Sequence, residues 1–102
     1  MSQQVYIYTA RADWSIAETA FQLAQLPLSD QRYSQRYTHP LRLRSFVASR
    51  LLLRQALTDL EGKSSSEWLF DSPHQRLQLN RQQTDWQTSL SHSEEWVACV
   101  LA

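Results

Sequence analysis

Residues 41–60 read LRLRSFVASRLLLRQALTDL, and their apolar spacing predicts one long amphipathic helix. Phe46, Leu53, Leu57 and Leu60 recur at helical intervals. At about 100° per residue they fall within one narrow sector. The same projection puts Arg50 inside that sector and Arg54 on its edge, beside Leu43 and Val47. A guanidinium stays charged at any ordinary pH, so an arginine on a core-facing stripe needs an anionic or carbonyl partner. One outcome lays the stems along the core while the heads reach water or a structural carboxylate. The other is a helix that faces a bound anion, and two arginines one turn apart give that outcome weight.

Working outward, Pro40 opens this helix where its missing N–H does little harm, and Gly62 is placed to cap its end. Ser29 and Asp30 start a shorter helix that carries Arg32, Tyr33, Arg36 and Tyr37. Before it, Asp13 or Ser15 caps a helix running to about Gln25, with Ile16, Ala20, Phe21 and Leu23 or Ala24 expected inward. Val5 to Thr9 (VYIYT) is β-branched and aromatic and reads as a strand. The second half reads as β structure. Trp68-Leu69-Phe70 and Arg76-Leu77-Gln78-Leu79 are short strands around a turn at Ser72-Pro73-His74, and Lys63 to Ser66 is a turn after the long helix. Trp86, Thr88 and Leu90 alternate with polar residues, as in a half-buried strand. Ser93-Glu94-Glu95 turns the chain into Trp96 to Leu101 (WVACVL), which is apolar on both faces and implies that something more packs on it. The expected fold is a small α/β (α+β) domain over residues 1–102, a mostly antiparallel sheet packed against the long helix.

Charge is unevenly spread along a chain of 102 residues and zero formal net charge. Arg32, Arg36, Arg42, Arg44, Arg50 and Arg54 lie between Gln31 and Thr58 without one acidic residue, whereas seven acids face Lys63, Arg76 and Arg81 from Asp59 onward. The first block is a local basic surface, suited to phosphate or nucleic acid, or to pairing with the acidic half. Gly62 is the only glycine, so neither common glycine-rich phosphate loop is present. Phosphate here would be held by side chains and local amides. Ser89-Leu90-Ser91-His92-Ser93, at a strand end, offers hydroxyls, an imidazole and turn amides for that purpose. No glycine-flanked nucleophile elbow surrounds any serine. His39, His74 and His92 lack zinc spacing, so no metal ligands and no catalytic residues are assigned. The lone Cys99 sits in an apolar run, reads as core and fits a reducing, cytoplasmic setting. No run approaches the roughly 18 apolar residues of a membrane span, and MSQQVYIY is no signal peptide, so membrane association is not expected. No nucleic-acid module motif is present either.

Together these residues resemble the N-terminal half of a 4′-phosphopantetheinyl transferase of the surfactin-synthetase-activating type. The resemblance spans about Leu26 to Leu101. It rests on Leu28-Ser29-Asp30 before an Arg-rich helix, on Arg44-Ser45-Phe46 with Ser49-Arg50-Leu51-Leu52-Leu53-Arg54, and on Trp68 with Phe70. It continues through Arg76-x-x-Leu79, Ser89 to Ser93 and Trp96-Val97. It implies one half of a two-lobed fold and transfer of the phosphopantetheine arm of coenzyme A to a carrier-protein serine (holo-acyl-carrier-protein synthase activity). By that resemblance Arg32, Arg36, Arg44, Arg50 and Arg54, with Ser91 and His92, would contact coenzyme A phosphates. Arg76 would lie along the adenosine, although Gln75-Arg76-Leu77 replaces the family's Gly-Lys-Pro. The family's Asp-x-Glu metal motif, expected after Trp96 to Leu101, and its later Glu/Lys helix are not found there. Mg²⁺ is therefore expected only with a C-terminal half, and the 102-residue chain is expected to be inactive alone. Implied partners are an acyl or peptidyl carrier protein and either that other half or a second copy meeting the C-terminal strand. The alternative is a non-enzymatic basic module, a decayed or truncated transferase that binds a protein partner or nucleic acid.

Overall fold

The structure, a computed structural model, describes residues 4–62, 68–70, 76–79 and 82–102, with side chains described over 4–62 and 86–102. Elements follow the order β1 (Tyr6–Arg11), α1 (Ile16–Leu23), α2 (Leu28–Ser34), α3 (Pro40–Glu61), β2 (Trp68–Phe70), β3 (Arg76–Leu79), β4 (Gln82–Ser93) and β5 (Trp96–Leu101). The fold is α+β, with an antiparallel sheet packed against the long helix. The sheet order is β1-β5-β4-β3-β2, each neighbouring pair antiparallel. The turns at 63–66 and 72–74 lie outside the described residues.

Helix α3 forms where the sequence placed it. Pro40 sits in its first turn, and Gly62 caps it in the left-handed region at φ 71°, donating its N–H to Thr58 O at 2.8 Å. Glycine, which has no Cβ, adopts that conformation at the least steric cost. The N-cap is His39, whose Nδ1 accepts from Leu41 N at 3.1 Å. The buried surface of α3 is much wider than one narrow sector. Phe46, Val47, Ala48, Ser49, Leu52, Leu53, Arg54, Ala56 and Leu57 are all buried, because the sheet covers one side and α1 and α2 the other. Ala48, Leu52, Leu53, Ala56 and Leu57 pack with Ala12, Val97, Cys99 and Leu101 into the main core. Leu26, Phe46 and Val47 form a second cluster against Trp14, Tyr33 and Tyr37.

Helix α1 departs from expectation. Ser15 caps it, its hydroxyl accepting from Glu18 N at 3.1 Å, but its buried residue is Thr19. Ile16 is 76% and Phe21 66% exposed, and Ala20 and Ala24 are exposed too, while Leu23 is half-buried. Eight residues allow one face to be chosen by where the chain enters and leaves. The chain enters α1 from Ala12, whose N–H donates to Glu95 O at 2.7 Å.

The two-faced apolar strand β5 has both of its edges paired within the sheet. It is a middle strand, paired to β1 from Tyr6↔Leu101 to Arg11↔Trp96 and to β4 from Thr88↔Leu101 to Ser93↔Trp96. Val97, Cys99 and Leu101 point into the core, Ala98 and Val100 are half-buried, and Trp96 is 54% exposed. Both edges of β5 are used within the chain, so a second copy could meet only its outer face.

Candidate functional site: an arginine and aromatic cluster on α2 and α3

Asp30, in the first turn of α2, is 4% exposed. Its Oδ2 accepts from Arg54 Nε at 2.8 Å, and its Oδ1 lies 4.0 Å from Arg50 Nε. Arg54 is 2% exposed. The order of depth is thus the reverse of the helical projection, with Arg54 the more buried. The anionic partner that the stripe demanded is, for Arg54, a carboxylate of this chain. Asp30 is the residue sequence reasoning missed: read as a helix starter, it is the acid immediately before the acid-free arginine block and one helix before Arg50 and Arg54. Arg54, expected at a ligand phosphate, is paired in the structure with Asp30 and so links α2 to α3.

The α2–α3 contact places an aromatic stack beside this pair. Tyr33 and Tyr37 both stack on Phe46, with ring centroids 5.5 and 5.0 Å apart. The Arg36 guanidinium lies 4.4 Å over Tyr33, and that of Arg50 lies 5.4 Å from Tyr33 and 5.2 Å from Phe46. Flat guanidinium groups stack on ring faces while their edges remain able to donate in-plane hydrogen bonds. Burial pulls the Arg50 guanidinium below its usual pKa; attraction to Asp30 opposes this and repulsion from Arg54 adds to it. It nonetheless stays charged at neutral pH. Arg32, Arg36 and Arg42 are exposed. Arg44 is half-buried and donates from Nη1 to Trp14 O at 3.5 Å. The cluster therefore combines orienting rings with several cations, a chemistry suited to holding phosphate oxygens.

Ser91 and His92 are both exposed on β4. They lie inside the strand rather than in the turn, which is Glu94-Glu95, with Glu94 at φ 53°. Neighbouring strand residues point to opposite faces. His92 pairs with Val97, whose side chain is buried toward α3, and Ser91 pairs with Ala98 on the other face. The expected convergence of Ser91 with His92 is thus corrected by the longer strand: only His92 shares the helix side of the sheet. Arg76 lies in β3, its side chain outside the described residues. Among the described residues no group of three His, Cys, Asp or Glu could hold a metal ion, and no helix is long and apolar enough to cross a membrane.

Cys99 is fully buried. Burial pushes its thiol up to about 11, partly offset by a backbone hydrogen bond from Tyr8. That favours a core role over nucleophilic chemistry. No protein-family model and no curated protein matches the chain.

Proposed function

We propose that this chain is the coenzyme A-binding N-terminal half of a 4′-phosphopantetheinyl transferase of the surfactin-synthetase-activating type. The observation that supports it is the arginine and aromatic cluster, in which the Arg36 and Arg50 guanidinium groups lie 4.4 and 5.4 Å from the Tyr33 ring centre, with Arg32 exposed on the same helix as Tyr33. In this reading Arg32, Arg36, Arg44 and Arg50 neutralise the phosphates, His92 adds a donor from the helix side of the sheet, and the Arg76 stretch lies along the adenosine. The transfer to a carrier-protein serine would need carboxylates supplied from elsewhere. Among the described residues no three His, Cys, Asp or Glu side chains gather into a metal-holding group, and no metal step is assigned to them. The partners are then a carrier protein and the complementary half or a second copy, in the cytoplasm.

Calorimetric titration with coenzyme A and with its 3′-dephospho form tests this. Tighter binding of coenzyme A is the expected result. Equal weak binding of both, falling steeply with salt, would instead support a generic basic module for a protein partner or nucleic acid.

A further inference from the structure

Asp30 offers its two oxygens to two arginines on unequal terms. Oδ2 holds Arg54 Nε at 2.8 Å inside a pair whose side chains are 5% and 3% exposed. Oδ1 stands 4.0 Å from Arg50 Nε, and the Arg50 side chain retains 11% exposure. We infer that Asp30 is a built-in competitor for the phosphate at Arg50, a positioning residue that sets how much negative charge a ligand must bring to take the guanidinium over. The inference rests on the phosphate reading of the cluster given above. Carboxylate and phosphate present similar oxygen pairs to the edge of a guanidinium. A monoanion gains little by displacing another monoanion, whereas a di- or trianionic phosphate group gains Coulomb energy in a partly dry site. Arg54 holds the carboxylate back by its other oxygen. Its removal frees Asp30 to close on Arg50.

The test is a titration of the full chain with inorganic pyrophosphate at fixed ionic strength. It compares wild type, Arg54→Met and the double variant Asp30→Asn with Arg54→Met, each checked for folding by thermal melting. Methionine fills the guanidinium's space with an apolar chain, and the double variant removes both buried charges together rather than stranding one. Arg54→Met binds roughly tenfold more weakly and the double variant roughly tenfold more tightly than wild type. Changes of the same sign, or none, overturn the inference, because a merely structural Asp30–Arg54 pair moves both variants alike. Should Arg54→Met not fold, the double variant decides alone: tighter binding supports the competitor, equal or weaker binding overturns it. Wild type that binds equally to the variants sinks the competitor and leaves the phosphate reading standing. No binding by wild type or double variant removes both.

Discussion

The α2–α3 contact and the β4–β5 hairpin both carry residues of the candidate site, and they are built on opposite terms. At α2–α3, residues four apart on a helix share a side, so Arg50 and Arg54 both meet Asp30. At β4, adjacent residues are driven apart by the pleat, so Ser91 and His92 face opposite sides of the sheet. Helical spacing therefore survives as a site, whereas a run of chemically attractive neighbours survives only where it leaves the strand. Here the strand continues through Ser93.

The largest expected effect breaks the helix side of this comparison. Asp30→Ala removes the carboxylate paired with the nearly fully buried Arg54 guanidinium, and breaking a buried pair by removing one partner costs about 3–5 kcal/mol. Chemical denaturation should show a loss of that size; a loss below about 1 kcal/mol, as for an exposed pair, would mean that α2 is not fastened this way. Leu57→Ala, at a fully buried position facing the sheet core, should cost about 2–5 kcal/mol in the same experiment. An unchanged midpoint would put Leu57 outside the core.

On the strand side the contrast is one of faces. His92→Ala should weaken coenzyme A binding by roughly tenfold, the worth of one hydrogen bond to a charged group. Ser91→Ala, on the outer face, should change it less than about twofold. Equal losses would show that the two side chains act together despite the pleat.

The smallest effect concerns the core of the sheet. Burial raises the Cys99 thiol in the folded chain to about 11 from 9.0. As pH rises through that window the unfolded chain gives up its thiol proton first, so folding stability falls there and is fully present below it. Denaturation midpoints between pH 8 and 11 should drop less in Cys99→Val than in wild type. Parallel curves would remove Cys99 as a cause.

The features legible in sequence are those with local chemical causes. Pro40 and Gly62 bounded α3 to within a residue or two, and of the two cap candidates Asp13 and Ser15 it is Ser15 that caps α1. What escaped depends on distant partners. The pairing of β1 with β5 joins the two ends of the chain, and no local pattern records it. The outward turn of Ile16 and Phe21 on α1 is likewise not encoded by hydrophobic periodicity. Asp30 could have been found by asking which acid lies nearest the arginine block and on a neighbouring helix.

The most direct test of the account is an amide NMR titration of the chain with coenzyme A. The arginine and aromatic cluster predicts that the largest shifts fall in α2 and the first half of α3, from Asp30 to Arg50, with a smaller response at His92 and none on the outer face at Ser91 and Ala98. Shifts centred on β4 and β5, or no shifts at millimolar coenzyme A (about −4 kcal/mol or weaker), would contradict it.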